Sequence, residues 1–248
     1  MANPPSAARP RIAVLIPAAG SGKRVGRGVN KVFLPLAGLP LIHHTVQAFQ
    51  QEERIERILL IARPEDFSRL EHAFKERKRW SRLVGWVEGS ENRQRSVLCG
   101  VTALADQPPD WVIVHDGARP LVSTGLVGRI IEELAHHPAV VPTLPIHDTV
   151  RDLADSNQLV ADRRDLVRVQ TPQGFHWKVL QEAHRFAAEK GVERTDDAQL
   201  VEAAGESVTL IPGERRNLKM TTPPDFELAE WLVLNPSWGL APLRTLVT

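Results

Sequence analysis

The chain has 248 residues, and its 31 basic and 30 acidic side chains leave a formal net charge of +1. This length suits one large α/β domain or two small ones, and the near balance of charge argues against binding of nucleic acid through a broadly basic surface. Cys99 is the only cysteine, so the chain can form no internal disulfide, and we expect a cytoplasmic protein. No apolar run approaches the roughly 20 residues of a membrane span, so no membrane association is expected.

From residue 12 to about residue 144, short apolar runs alternate with segments of helical spacing. The runs are typical of strands buried on both faces of a parallel sheet. The predicted strands are 12–16, 58–61, 83–87, 111–114 and one that begins at 140, and the predicted helices are 41–49, 64–78, 96–105 and 126–134. This order predicts an α/β fold with a Rossmann-like, mostly parallel sheet and helices on both faces. Since ligands of such sheets bind at the carboxyl ends of the strands, we expect the chemistry in the loops after Ile16, Val87 and Val114.

Residues 145–170 interrupt this alternation. Segments 148–153 and 159–163 predict a charged, two-stranded β-arm, and its few apolar residues have little to bury against their own domain. We therefore expect the arm to pack on another subunit and form a homodimer. The α/β pattern returns at 179–188, 208–211 and 224–233. One folded domain is expected over 12–234, between a flexible N-terminus at 1–11 and a flexible tail at 235–248.

The loop after the first strand reads Pro17-Ala-Ala-Gly-Ser-Gly-Lys-Arg24 and continues to Asn30-Lys31. Its glycines let backbone N–H groups approach a polyphosphate, and its basic side chains can stabilise a phosphorus under attack. The spacing is neither that of a P-loop nor that of the Rossmann fingerprint. Taken singly, each glycine could mark an ordinary turn and each basic side chain could be a solvated surface charge. The prediction of a nucleoside triphosphate site depends on their combination.

Together, this loop and four further motifs resemble the signature of the 2-C-methyl-D-erythritol 4-phosphate cytidylyltransferase family of the non-mevalonate isoprenoid pathway. The further motifs are His115-Asp-Gly-Ala-Arg-Pro120, Thr171-Pro-Gln173, Thr195-Asp-Asp197 and Asn217-Leu-Lys219 followed by Thr221 and Pro223. They occur in order over residues 12–233. The resemblance implies an enzyme that transfers CMP from CTP to a small sugar-alcohol phosphate and releases pyrophosphate.

The resemblance also implies roles for individual residues. Arg24 and Lys31 are the expected catalytic residues, because their counterparts stabilise the pentacoordinate phosphorus. The expected nucleotide-binding residues are Pro17, Ala18, Ala19, Gly20, Gly22, Gly89, Ser90, Glu91, Arg93, Ser96, Asp116 and Arg119. Asp116 is also the expected protein ligand of Mg²⁺, the cofactor that the family implies. Ser90 stands where a second glycine is usual, and Gly117 stands where alanine is common.

On the acceptor side, the resemblance points to the arm and to the C-terminal stretch. The expected substrate-binding residues are Thr149, Arg163, Thr171 and Lys219. Thr149 and Arg163 would be supplied by the arm of a second subunit, which agrees with the separate interpretation of 145–170 as a dimerisation segment. His147 stands where the family frequently has Arg.

Several residues also have a structural interpretation. His115 is expected to pack or hydrogen-bond within the fold. Asp116 could cap the following turn, although its place after a central strand favours a functional role. Asp196 and Asp197 are most simply acidic residues in the first turn of a helix, where carboxylates are favoured.

Three other functions remain open from the sequence. A ribitol 5-phosphate cytidylyltransferase would share nearly every loop residue, and a sugar-1-phosphate nucleotidyltransferase would use UTP or GTP. A nucleotide-binding regulator without turnover would not need Arg24, Lys31, Asp116 and Lys219 together. Acceptor preference, base preference and pyrophosphate release discriminate among these functions.

Overall fold

The computed structural model describes residues 9–20, 30–76, 78–151 and 162–237. These residues form one eight-stranded sheet with helices on both faces and a separate two-stranded ribbon. The strands are β1 Ile12–Pro17, β2 Pro35–Leu36, β3 Leu39–Pro40, β4 Ile55–Ala62, β5 Leu83–Glu88, β6 Trp111–Val114, β7 Ala139–Pro145, β8 Val167–Val169, β9 Gln173–His176 and β10 Thr209–Pro212. The α-helices are α1 Leu41–Gln50, α2 Phe67–Ala73, α3 Arg93–Leu104, α4 Thr124–Glu133, α5 Trp177–Lys190, α6 Asp197–Ala203 and α7 Pro223–Leu234.

The strands of the large sheet lie in the order β10-β7-β9-β6-β1-β4-β5, and β8 pairs with β7. β1 is parallel to β4 and β6, β4 is parallel to β5, and β10 is parallel to β7. β9 is antiparallel to both of its neighbours, and β8 is antiparallel to β7. The predicted α/β fold with a mostly parallel sheet is therefore confirmed.

β1 shows why the first strand reads as a continuous apolar run. Ile12, Val14 and Ile16 pack into the apolar layer that contains α1 and α4. Ala13 and Leu15 point to the opposite layer, which contains α3 and α5. Successive side chains of a strand face opposite sides, so a strand covered on both faces needs apolar residues at every position.

β9, which separates β6 from β7, was not predicted from the sequence. Its Gly174 faces α4, where an added Cβ would lie 2.5 Å from Ile130 Cγ2 and 2.9 Å from Leu134 Cδ1. Glycine therefore allows the helix to pack closely on this strand. The same residue weakens any strand signal in a four-residue segment.

The strand pairing next to the arm differs from the prediction. The paired strands are the end of β7 and β8, in which Thr143 lies opposite Val169. Arg163–Asp165 forms a 3-10 helix rather than part of a strand. Residues 152–161, which hold most of the predicted ribbon, lie outside the described residues.

Helix α2 differs from its sequence-based boundaries. Pro64–Asp66 forms a 3-10 helix, so α2 is shorter than the predicted helix over 64–78. The interpretation of the Asp196-Asp197 pair as residues at a helix start is correct, since Asp196 accepts a hydrogen bond from Gln199 N at 2.9 Å. Among the helices that the structure describes, none combines the length and hydropathy needed to cross a membrane.

The two outer strands of the sheet are irregular. The register between β4 and β5 shifts after Ile58, where Leu59 lies opposite Gly85. Gly85 has a φ of +148°, a conformation that favours glycine. At the other edge, β10 ends in Pro212, which lacks a backbone N–H.

Candidate functional site

The loops after β1 and β6 run side by side at the carboxyl edge of the sheet. Ala18 N donates a hydrogen bond to Ile61 O in β4 at 2.7 Å, and Gly117 N donates one to Pro17 O at 3.1 Å. The start of the glycine loop is therefore hydrogen-bonded to β4 on one side and to the loop that contains Asp116 on the other.

The loop after β5 reaches the same place. Gly89 N donates to Ala62 O at 2.8 Å, and a Cβ at Gly89 would lie 2.9 Å from the Cβ of Ala19. A larger residue would push these two loops apart, so glycine is needed for their close approach. All three loops selected from the sequence therefore converge.

A cavity of about 230 Å³ opens between these loops. It is lined by Pro17, Ala18, Ala19, Gly20, Asn30, Lys31, Val32, Arg93, Asp116, Gly117, Ala118 and Lys219. Eight of these were predicted as site residues, and the exceptions are Asn30, Val32, Gly117 and Ala118. We call this cavity the loop pocket. Arg24 and Gly22, the other predicted residues of the glycine loop, lie outside the described residues.

Asn30 fixes the far end of the glycine loop, a role that the sequence analysis did not assign. Its side chain is buried and donates to Ala18 O at 2.6 Å and to Asp66 Oδ2 at 2.9 Å. Lys31 follows directly, and its Nζ donates to Met220 O at 2.7 Å. The loop pocket therefore has a cationic side chain anchored to a wall that comes from the C-terminal part of the chain.

Asp116 is the buried centre of a partly buried group of charges, which we call the Asp116 cluster: Arg93, Asp116, Arg119, Asp197 and Lys219. Oδ1 of Asp116 accepts from Arg93 Nε at 2.9 Å, and Oδ2 lies 2.7 Å from Lys219 Nζ and 3.9 Å from Arg119 Nε. Arg93 Nη1 also donates to Asp197 Oδ2 at 2.7 Å. Three cations face two carboxylates, so the cluster keeps a net positive charge that favours a polyanion.

The ionisation states of the cluster follow from burial and charge. Burial raises the pKa of Asp116, but the positive charges of Arg93 and Lys219 outweigh burial and hold that pKa well below its usual range. Burial also raises the pKa of Asp197, yet Arg93 and His184 bring it below its ordinary value. Burial lowers the pKa of Arg93, and the two carboxylates reverse that effect and raise it. All three side chains are therefore ionised at neutral pH.

Hydrogen bonds to Thr171 and, through it, to His115 fix the backbone of Asp116. Asp116 N donates to Thr171 Oγ1 at 3.0 Å, and Thr171 Oγ1 lies 3.2 Å from His115 Nδ1. His115 Nε2 is 3.0 Å from Arg119 O, an acceptor only, so the ring proton is assigned to Nε2 and Nδ1 accepts from Thr171. Burial lowers the pKa of His115 to about 4, which keeps the ring neutral. His115 thus packs and hydrogen-bonds within the fold, as predicted.

A second cavity, of about 360 Å³, adjoins the loop pocket and shares Lys219 with it. We call it the C-terminal pocket; its lining residues are Arg119, Leu144, His147, Arg168, Val169, Gln170, Arg215, Asn217, Leu218 and Lys219. Arg119 is fixed by a 2.8 Å hydrogen bond from Nη1 to Asn217 O. The lining contains four arginine or lysine side chains and no carboxylate.

Other predicted residues lie around these pockets rather than in them. Ser96 is buried, and its Oγ accepts from Ser90 N at 3.0 Å, which shapes the loop after β5. Glu91 is exposed and pairs with Arg95. Thr171 lies beneath Asp116, as described above.

Thr149 and Arg163 lie on the base of the arm, which we define as residues 146–151 and 162–166. Both are exposed, and neither lines the loop pocket or the C-terminal pocket of its own chain. Arg163 Nη1 donates to His147 O at 2.6 Å. The structure therefore does not bring these two predicted acceptor residues to the pockets within one chain.

The site offers one carboxylate, Asp116, to a divalent cation. Within the described part of the chain, no group of three or more His, Cys, Asp or Glu side chains is placed to hold a metal ion. Mg²⁺ commonly takes one or two protein carboxylates and completes its shell with substrate phosphates and water. Each Asp116 oxygen keeps a lone pair beyond its contact in the cluster, so the residues present fit a magnesium ion held mainly by a polyphosphate.

Comparison with known proteins gives a consistent result. The model of the family described as 2-C-methyl-D-erythritol 4-phosphate cytidylyltransferase matches residues 12–235. The chain is 40% identical over 220 residues to the 2-C-methyl-D-erythritol 4-phosphate cytidylyltransferase of Geobacillus kaustophilus, covering 87% of this chain and 94% of that protein. It is 41% identical over 227 residues to the bifunctional enzyme IspD/IspF of Rhodospirillum rubrum, which covers 90% of this chain and only 57% of that longer protein.

Solved structures agree in fold. The 2-C-methyl-D-erythritol 4-phosphate cytidylyltransferase of Thermus thermophilus aligns with a TM-score of 0.72 at 36% identity, covering 90% of this chain and 99% of that one. The 4-diphosphocytidyl-2C-methyl-D-erythritol synthase of Anaerococcus prevotii aligns with a TM-score of 0.80 at 27% identity, covering 91% and 96%.

Proposed function

The chain belongs to the 2-C-methyl-D-erythritol 4-phosphate cytidylyltransferase family, and we propose that it transfers CMP from CTP to 2-C-methyl-D-erythritol 4-phosphate. The products are 4-diphosphocytidyl-2-C-methyl-D-erythritol and pyrophosphate, in the synthesis of isoprenoid precursors. The observation that carries the proposal is the Asp116 cluster at the junction of the two pockets, where a net positive, largely buried group of charges can hold two phosphorylated substrates.

In the reaction, a phosphate oxygen of the acceptor forms a bond to the α-phosphorus of CTP, and the bond to the β-phosphate oxygen breaks. Pyrophosphate leaves with the bonding electron pair. Such a step needs positioning of two anions and stabilisation of charge in the transition state rather than a protein nucleophile. Backbone amides of the glycine loop with Lys31 and Arg24 would bind the triphosphate and stabilise the phosphorus under attack.

The acceptor would enter from the C-terminal pocket. Lys219 lines both pockets, so one ammonium group can contact both substrates, and Arg119 supplies a second, buried cation beside it. Asp116 would hold Mg²⁺ together with the phosphates of CTP. When bound, the ion supplies charge neutralisation on the phosphate oxygens.

The arm would complete the acceptor site in a homodimer. Thr149 and Arg163 are exposed, and neither lines a pocket of its own chain, which supports a role in the pocket of a second copy. Val167 and Val169 of β8 are also exposed apolar residues beside the arm. The single cysteine and the phosphorylated substrates fit a cytoplasmic enzyme.

The direct test is magnesium-dependent pyrophosphate release with CTP, comparing 2-C-methyl-D-erythritol 4-phosphate with ribitol 5-phosphate. We expect release with the first acceptor only. Release with ribitol 5-phosphate alone would leave the nucleotidyl transfer intact and show that the acceptor is wrong. Equal use of UTP or GTP would contradict the assignment of CTP.

A further inference from the structure

Arg93 occupies an unfavourable place for a basic residue. It is the first residue of α3, where the helix dipole presents positive partial charge. Two carboxylates nevertheless hold its guanidinium, Asp116 at 2.9 Å from Nε and Asp197 at 2.7 Å from Nη1. Residues that violate a local preference and are held by buried partners commonly serve a functional site.

Asp197 lies behind Arg93, outside both pockets. It is fully buried, and Gln173 secures the start of its helix by accepting a hydrogen bond from Ala198 N at 3.2 Å. His184 of α5 is also buried, with Nε2 at 3.2 Å from Asp197 Oδ1. Neither Asp197 nor His184 lines the loop pocket or the C-terminal pocket, so neither contacts a substrate bound there directly.

We propose that Asp197, backed by His184, is a positioning residue for the transfer reaction, because it fixes Arg93 and thereby the carboxylate of Asp116. A guanidinium that faces a single carboxylate tends to bind both of its oxygens. Asp197 draws Nη1 of Arg93 away, so Arg93 contacts only Oδ1 of Asp116, and Oδ2 stays with Lys219. Asp197 thus determines the positions from which the Asp116 carboxylate and the Lys219 ammonium group contact the substrates. This inference rests on the proposed function of the same pocket.

A double-mutant cycle tests the proposal. Asp197→Asn keeps the size of the side chain and removes its charge. We expect it to lower kcat by about tenfold to a hundredfold, because displacement of reacting groups by about 1 Å can cost that much, while KM for CTP changes less than about threefold. In an Asp116→Asn background, Asp197→Asn should lower kcat by less than about twofold, since the group through which it acts has lost its charge. The same factor in both backgrounds would overturn the proposal.

The control is Glu52→Gln, which removes the charge from another close carboxylate–arginine pair, Glu52 with Arg54 at 2.7 Å, away from both pockets. We expect its kcat to match that of the wild type. If Asp197→Asn does not fold, the cycle is run with His184→Gln, which leaves both Arg93 pairs in place and is expected to lower kcat by about threefold to tenfold. Additive behaviour of that variant with Asp116→Asn would equally overturn the proposal.

A readout independent of turnover separates this inference from the proposed function. The side-chain Nε–H of Arg93 donates to Asp116, so its proton should exchange slowly with solvent in nuclear magnetic resonance spectra of the wild type. Asp197→Asn should speed that exchange at least about tenfold, whereas Glu52→Gln should leave it unchanged. Absence of pyrophosphate release by the wild type would contradict the function alone, and unchanged exchange in Asp197→Asn would contradict the positioning role.

Discussion

The Asp116 cluster and the base of the arm both contain residues predicted to bind substrate, yet their surroundings are opposite. Asp116 is buried, its backbone is held by Thr171, and its carboxylate contacts three cations of the same chain. Thr149 and Arg163 are exposed, and the guanidinium of Arg163 donates a hydrogen bond to a backbone carbonyl of the same arm, His147 O. The cluster can therefore be preorganised within one chain, whereas the proposed role of the arm depends on a second subunit.

The largest expected effect comes from the preorganised side of this comparison. Lys31→Ala should lower kcat by roughly two to three orders of magnitude, because it removes a fixed donor from the charge that develops in the transition state. Arg24→Ala should have an effect of similar size. Steady-state pyrophosphate release measures both, with Lys178→Ala on the exposed side of α5 as the matched control. Near-wild-type turnover of Lys31→Ala would remove Lys31 from the catalytic residues.

The buried support of the cluster should make stability depend on pH. The pKa of His115 in the folded protein is about 4, below its ordinary value of 6.5, so the unfolded chain takes up the proton first as the pH falls. Stability is thus present above pH 6.5 and is lost as the pH falls towards 4. Between pH 7 and pH 5 the wild type should lose about 2 kcal/mol more than His115→Gln, because the loss is about 1.4 kcal/mol for each pH unit below pH 6.5 and is small above it.

Urea unfolding of both proteins at the two pH values measures this difference. Because each protein is compared with itself, the cost of the substitution at neutral pH cancels. Equal pH dependence in the two proteins would show that His115 takes up a proton as readily in the folded protein as in the unfolded chain. That result would contradict the assignment of Nδ1 as the acceptor of the Thr171 hydroxyl.

The exposed side of the comparison should respond differently. Arg163→Ala should raise KM for the acceptor by about tenfold, because it removes the free energy of about one charge-assisted hydrogen bond to the acceptor. KM for CTP should stay unchanged. An unchanged acceptor KM would exclude Arg163 from the acceptor site. A large fall in kcat at saturating acceptor would instead place Arg163 with the catalytic residues.

Mixing two damaged chains distinguishes an arm that acts in its own chain from one that acts in a partner. If Arg163 serves the second subunit, a heterodimer of Lys31→Ala and Arg163→Ala contains one pocket with both residues intact. At equal mixing and exchange, half of the dimers are mixed and each carries one intact site, so acceptor use at low concentration should recover to about a quarter of the wild-type value. No recovery after confirmed exchange would show that the arm acts on the pocket of its own chain.

The sequence predicts the parallel half of the sheet well because its strands are buried on both faces and read as continuous apolar runs. β9 was not predicted because tertiary contacts, rather than its own sequence pattern, stabilise it. Gly174 is buried there only because α4 packs against it, with Ile130 and Leu134 where a side chain would be. In a short segment, that glycine indicates a turn rather than a strand.

The same distinction applies to the site. The glycine loop and Asp116 are local signals at strand ends, so their convergence follows from the topology. The contact between Arg93 and Asp197 joins residues 104 positions apart, and Asp197 taken alone is an ordinary first-turn acid. The pairing depends on the packing of α6 against β9, where Ala198 N donates a hydrogen bond to the side chain of Gln173. This packing brings Asp197 to Arg93.

The irregular edges of the sheet limit how copies of this chain can associate. An exposed edge strand offers unpaired N–H and C=O groups to another chain and can seed aggregation. Here the register shift at Gly85 twists one edge, and Pro212 removes a donor at the end of the other, so each edge is a poor template for strand addition. Self-assembly by continuation of the sheet is therefore discouraged at both ends, which agrees with the proposal that copies of the chain associate through the arm and its neighbouring β8.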